Sequence, residues 1–282
     1  VSQHKKGKGS LTRHIFRGVI ILSAGLAVVG LYSSWKAAWW PQLTALISEH
    51  PEYVLSPGDL DLPEGPPWLR RNIPLDLWEV MKQRGVTNTL QPGISELIFR
   101  IAGDHPWINR VHFVRAIFPR SVEIRLEYRR PVCLVAGTSF AIDAQGVTLP
   151  AADLREGNLL LYVLVGVQPT SAVLLGRSWP DGRVIEAGRL AEFLGPIPVE
   201  KGFAYIVPRV TFRPLEPDDI VFSLRDGQGR ELFWGRAPGR EAPGEPPAST
   251  KRERLLGQLQ TFHEIPLHRT VDLTLAGNAL GR

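Results

Sequence analysis

A run of 18 residues without a charge, from Gly18 to Trp35, constrains this chain more than any other feature. Its apolar core reads Gly18-Val19-Ile20-Ile21-Leu22-Ser23-Ala24-Gly25-Leu26-Ala27-Val28-Val29-Gly30-Leu31-Tyr32. As a helix it would reach roughly 27 Å, close to the bilayer's hydrocarbon core of about 30 Å. Arg17 and Lys36 bracket it, where long cationic side chains can snorkel to the headgroups. Tyr32, Trp35, Trp39 and Trp40 cluster at its C-terminal end, as interfacial anchors do in an aromatic belt. A globular core helix rarely stays uncharged on every side for so long. A cleaved signal peptide would need a small-x-small site, and Trp35, Lys36, Trp39 and Trp40 interrupt that pattern. The expectation is a single transmembrane helix over 18–35, with membrane lipid around it.

The charge distribution sets the expected topology. The formal net charge is +5, from 33 basic and 28 acidic residues. Lys5, Lys6, Lys8, Arg13 and Arg17 precede the apolar run with no acid among them, so the rest of the chain is formally neutral. Nucleic-acid binders concentrate basic charge on a binding face, and a neutral body argues against that class. The positive-inside rule instead makes those five residues topology determinants. Residues 1–17 then read as a cytoplasmic tail, 36–48 as a juxtamembrane segment, and the body as periplasmic. The expected location is the cell inner membrane, single-pass. The single Cys133 permits no intrachain disulfide, so stability must come from packing.

Residues 51–74 hold Pro51, Pro57, Pro63, Pro66, Pro67 and Pro74 and read as extended or looped chain, with Tyr53-Val54-Leu55 as a short strand. Leu75, Leu77, Trp78 and Met81 have helical spacing, with Gly85 as a C-terminal stop. Ile94, Leu97, Ile98 and Ile101 mark a second helix. Val111, Phe113 and Arg115 then alternate with His112 and Val114. After a turn at Phe118-Pro119-Arg120, Val122, Ile124, Leu126 and Tyr128 alternate with charged residues in strict period two. The order β-α-α-β-β describes a small α+β domain.

Beyond Pro131 short apolar runs recur between turn signals: 132–136, 140–142, 146–149, 159–167, 207–212, 220–224 and 231–234. Helical spacing covers Ala187–Leu194 and Leu255–Phe262. The Pro/Gly-rich stretch 236–249 reads as a flexible surface loop. Thr270, Val271, Asp272, Leu273, Thr274 and Leu275 alternate as a last strand. This reads as a mostly antiparallel β domain with a C-terminal helix and strand.

The ordered set of these patterns resembles a known family. His105-Pro106-Trp107-Ile108, Val111, Phe113, Arg115, Phe118-Pro119, then Val122, Ile124, Leu126 and Arg129, Pro131-Val132, are similar to the end of a POTRA domain in the FtsQ/DivIB cell-division family. Phe140-Ala141-Ile142-Asp143 with Gly146, Tyr162-Val163-Leu164-Val165-Gly166, Gly229 to Gly235, the Leu255–Phe262 helix and Val271-Asp272-Leu273 follow in the family's order. The sequence departs from the family where Tyr128 replaces a usual Glu and Cys133 a usual small Ala. The resemblance implies a POTRA-like domain over 49–130, an FtsQ-type β domain over 131–276 and a tail over 277–282. It also implies a division-septum scaffold that recruits other division proteins, with the terminal stretch binding small coiled-coil proteins like FtsB and FtsL. The alternative is a membrane-anchored POTRA-containing module of another envelope assembly, in secretion or outer-membrane biogenesis.

No reaction centre stands out. Gly7-Lys8-Gly9-Ser10 lacks the upstream Gly of a phosphate loop. His263 with His268, and His105 with His112, lack zinc-site spacing. Cys133 sits on an apolar strand and reads as a buried thiol. Asp218-Asp219 reads as a turn. The expectation is no enzyme, no metal, no cofactor, no nucleic acid and no small-molecule substrate. The functional candidate is instead the edge strand Thr270–Leu275, since an unpaired edge can accept a strand from a partner. Its alternation further suggests that Val271→Lys or Leu273→Glu would block a partner without unfolding the domain.

Overall fold

In the computed structural model the described residues are 29–35, 39, 50–155, 157, 159–168, 173–211, 219–260 and 270–275. Among them no helix is long and apolar enough to cross a membrane, which corrects the transmembrane helix expected over 18–35. A charge-free run limits where a span can lie, but it does not itself extend a helix. The described helical turns, residues 29–35, rise roughly 10 Å, about a third of a hydrocarbon core. Residues 18–28, Trp40 and the basic residues Lys5, Lys6, Lys8, Arg13 and Arg17 lie outside the described residues. Tyr32, Trp35 and Trp39 are exposed, and the rings of Trp35 and Trp39 stack at 6.5 Å.

The first unit comprises β1 (Leu60–Asp61), α1 (Ile73–Gln83), α2 (Ile94–Gly103), β2 (Ile108–Ile117) and β3 (Ser121–Tyr128). Its sheet runs β1-β3-β2, with β1 parallel to β3 and β2–β3 an antiparallel hairpin. The Asn72 side chain caps α1 by accepting from the Leu75 N–H at 3.2 Å, satisfying a donor that the first turn leaves free. Past the end of α1, Gly85 takes the left-handed conformation (φ 74°) that a side chain resists. The helices bury Ile73, Leu77, Met81, Ile94, Ile98 and Ile101 against Val122, Ile124 and Leu126 of β3.

Two details differ from the sequence reading. Tyr53-Val54-Leu55 is not a sheet strand; Val54 makes one bridge to Asn88, and Leu60 takes the place beside Val122. In β2, register shifts between Ile108 and Arg110 and between Val111 and Phe113 break the alternation. Each bulge adds a residue and flips the faces that follow. Ile108 and Val111 are therefore buried, Val114 and Ala116 pack against the same core, and Phe113 is exposed.

The second unit holds β4 (Pro131–Val135), β5 (Phe140–Asp143), β6 (Thr148–Pro150), β7 (Tyr162–Leu164), α3 (Gly182–Leu194), α4 (Ile197–Glu200), β8 (Tyr205–Thr211), β9 (Asp219–Arg225), β10 (Glu231–Gly235), α5 (Ala248–Gln260) and β11 (Thr270–Asp272). Its eight-stranded sheet is ordered β11-β10-β9-β8-β7-β4-β5-β6. The sheet is mixed rather than mostly antiparallel: β10–β11, β4–β7 and β7–β8 are parallel. The helices explain two of these. Parallel neighbours need a long crossover, supplied by α3–α4 between β7 and β8 and by α5 between β10 and β11.

The β4–β5–β6 end of this sheet is covered on both faces. Cys133, Val135 and Ile142 face α3 in the main core, whereas Ala141 and Leu149, with Leu134 partly buried, join the core of the first unit. That is why these strands read as continuous apolar runs. Polar contacts cross the same junction: the Arg129 guanidinium pairs with Asp143 at 2.7 Å, and the Trp107 indole N–H donates to Asp153 at 2.8 Å. The turn after β5 is closed by the Asp143 carboxylate, which accepts from the N–H groups of Gln145 and Val147, each at 2.9 Å.

The 236–249 segment is not a loose loop. Ala237 is fully buried, and the Glu245 carboxylate accepts from the N–H groups of Arg236 (2.9 Å) and Ala242 (3.1 Å) and from Lys251 Nζ (2.7 Å). Its Pro/Gly composition described a bent path, and the anchoring acid made that path a fixed clasp.

Candidate functional site

β11 is the outermost strand at one end of the eight-stranded sheet. It lies parallel to β10 with Thr270 opposite Glu231, Val271 opposite Leu232 and Asp272 opposite Phe233. The Leu273 N–H continues the ladder by donating to the Phe233 carbonyl at 2.9 Å. Backbone groups of successive residues point to opposite edges of a strand, so Val271 and Leu273 address β10. The N–H and C=O of Thr270 and Asp272 then point to the outer edge, where no described strand pairs with them.

The strand is shorter than its alternation suggested. It ends at Asp272, whose carboxylate accepts from the Thr274 N–H (2.8 Å) and hydroxyl (2.6 Å) and turns the chain. An Asp side chain bonded two residues ahead competes with the ladder and stops it. The Val271 and Leu273 side chains, 6% and 1% exposed, belong to the core with Leu232, Leu255 and Leu259. This overturns the expectation that Val271→Lys or Leu273→Glu would be silent for folding. Thr270 and Leu275 are the exposed members of the stretch.

Two supports of this edge were not visible in the sequence. Arg254 of α5 donates to the carbonyls of Leu273 (2.9 Å) and Leu275 (2.8 Å), holding the turn after β11 onto the helix. Lys251, one turn earlier, is fully buried; its ammonium donates to Glu245 and to the Arg236 carbonyl (3.0 Å) and lies 4.9 Å from the Trp234 ring centroid. Burial raises the Glu245 pKa, but the Lys251, Ala242 and Arg236 contacts outweigh it and hold the carboxyl below its ordinary value. Gly235 joins the parts. With φ 85°, a Cβ there would stand 2.4 Å from Glu245 Oε1 and 2.8 Å from Thr274 Cγ2. The Gly after Phe233-Trp234 was the one available signal, since a close approach is a usual reason for Gly at a strand end.

The remaining candidates are dispersed. Cys133 is fully buried on β4, and burial pushes its thiol far above the ordinary range. His105 is mostly buried beside Asp76 (3.6 Å); burial lowers its pKa against the pull of that carboxylate. His112 pairs with Glu127 on the exposed hairpin at 2.9 Å. Asp219 opens β9 rather than a turn and is paired with Arg236. Residues 7–10, Asp218, His263 and His268 lie outside the described residues. Among the described residues no group of three or more His, Cys, Asp or Glu side chains is arranged to hold a metal.

No protein-family model matches this chain, and no curated protein matches it.

Proposed function

We propose that this chain is a non-catalytic docking scaffold of the FtsQ/DivIB kind, acting in the bacterial division machinery at the septum. Its partners are small coiled-coil division proteins resembling FtsB and FtsL. The reading rests on the resemblance set out above and on one structural observation: β11 ends its sheet with outward backbone groups that no described strand pairs. A partner segment adding there would gain ladder hydrogen bonds, each worth about 0.5–1.5 kcal/mol net. Asp272 limits this edge to a short stretch, so side-chain contacts beside it must supply specificity. Leu275, 48% exposed, is the apolar side chain placed to do so.

The experiment is capture of a coiled-coil partner by the full chain and by two variants. Thr270→Pro removes an outward N–H, and Leu275→Glu places a charge beside the edge. Both should lose the partner while keeping the parent's unfolding midpoint. Undiminished capture by both variants overturns the edge as the docking site.

A further inference from the structure

We infer that a second docking site, separate from β11, lies in the groove between the 62–74 segment and Arg155, and that it takes an acidic, extended peptide segment of a partner protein. The groove has a volume of about 900 Å³ and is lined by the buried Leu60, Leu69 and Ile73 and by Pro63 and Pro66. One wall is fixed by Tyr128 of β3, whose hydroxyl donates to the Pro63 carbonyl at 2.9 Å.

The charge at the groove follows from backbone pairing. Leu69 and Leu154 form an antiparallel bridge, with the Arg70 N–H donating to the Asp153 carbonyl and the Arg155 N–H to the Trp68 carbonyl, each at 2.8 Å. Side chains alternate in face along paired extended chains. Leu69 and Leu154 turn into the core, so Arg70 and Arg155 both emerge on the opposite face, exposed. Diagonal neighbours across such a bridge stand about 7–8 Å apart, with their Cβ atoms somewhat closer.

Neither guanidinium has an ion pair or side-chain hydrogen bond among the described residues. Arg71, by contrast, is occupied by Asp76 and Asp153. Among the described lining residues Glu64 is the one acid, against Arg70, Arg71 and Arg155. Two free guanidinium forks beside apolar walls fit carboxylates on a peptide, because the planar fork matches a carboxylate in two-point geometry. In an extended chain alternate side chains repeat at about 6.6–6.8 Å, which meets the spacing of the two arginines. The ligand pattern is therefore acid-x-acid, with the chain between the two acids laid along the Pro63 and Pro66 wall. A membrane surface offers anionic headgroups but no side chain to fill a groove.

The test is fluorescence anisotropy of a labelled octapeptide alternating glutamate and leucine, titrated with the full chain. Saturable binding is expected, weakened about tenfold by Arg70→Glu combined with Arg155→Glu, since two exposed attractive pairs become repulsive. Arg110→Glu, another change at an exposed arginine, on β2, should leave binding unchanged. Neither target guanidinium has an ion pair among the described residues, so the double variant should retain the parent's melting temperature. Absence of saturable binding, or equal binding by the double variant, overturns the site. Phosphatidylglycerol vesicles form the second arm. Vesicle binding lost in the double variant, with no peptide binding, assigns the arginines to a lipid surface and also overturns it.

Discussion

Gly188 lies in the middle of α3, where Ala would ordinarily be the better residue by about 1 kcal/mol. The structure reverses that sign. A Cβ at Gly188 would stand 2.5 Å from the Asp143 carbonyl oxygen, 3.4 Å from the Gly146 nitrogen and 3.5 Å from the Ala144 carbonyl carbon. Carbon–oxygen contacts settle at about 3.3–3.6 Å, so the overlap is about 0.8 Å. All three neighbours are backbone atoms, so no side chain can swing aside. The turn is held by the Asp143 carboxylate, itself paired with Arg129. The alternative is to lift α3, which buries Val184, Ala187, Leu190, Ala191 and Leu194. Overpacking of this kind costs about 2–3 kcal/mol; less the helix gain of about 1, Gly188→Ala should lose about 1–2 kcal/mol. For a body of this size that is a melting temperature lower by about 2–8 °C. Gly257 in α5 is the control, because an added Cβ meets nothing within 4 Å. Gly257→Ala should gain about 0.5–1 kcal/mol. Guanidinium denaturation of the three proteins reads both signs. Stabilisation by Gly188→Ala matching that of Gly257→Ala refutes the close approach of α3 to the 143–146 turn.

Leu273→Glu should destabilise the protein by at least about 4 kcal/mol, since it removes a core side chain and buries a carboxylate. An unfolding midpoint unchanged from the parent would place Leu273 at the surface. The clasp should be sensitive to acid. Glu245 has a folded-state pKa below its ordinary 4.5, so its contribution is complete above that value and is lost as pH falls through the lower, folded value. Denaturation midpoints should hold from neutrality down to the ordinary 4.5 and fall as the pH drops further, less steeply in Glu245→Gln, which has no carboxylate to titrate. Parallel pH profiles for the two proteins would remove Glu245 from the account.

Much of the secondary structure could be read from side-chain period. The alternation from Val122 to Tyr128 and the spacings in 75–84 and 94–102 correspond to β3, α1 and α2. Misreadings arose where a local device overrode the period. Two bulges in β2 moved Phe113 outward and Val114 inward, and a bulge leaves no compositional mark. Asp272 cut the last strand short through a side-chain bond to Thr274, a choice that alternation cannot register. Segment 236–249 has the composition of a linker, yet one acid ties it to the buried Lys251. Sequence arithmetic counts that lysine with surface charge, because Lys is almost never fully buried unless paired, and its partner is six residues away. The apolar run at 18–35 gave a length but no helix boundaries. At the candidate edge, the position of the strand was legible, whereas its burial pattern was not: Val271 and Leu273 read as partner contacts and turned out to be core. The bridge that brings Arg70 and Arg155 together joins residues far apart in the chain and has no local signature.

The account stands or falls on whether the outer edge of β11 meets a partner. A photo-crosslinking side chain at Thr270 of the full chain, activated in dividing cells, reads this directly. The account predicts a covalent adduct with a small coiled-coil division protein, enriched at the septum, and none from the same probe at exposed Lys201. A probe at Thr270 that captures nothing, in cells where that protein still co-purifies with the chain, would contradict it.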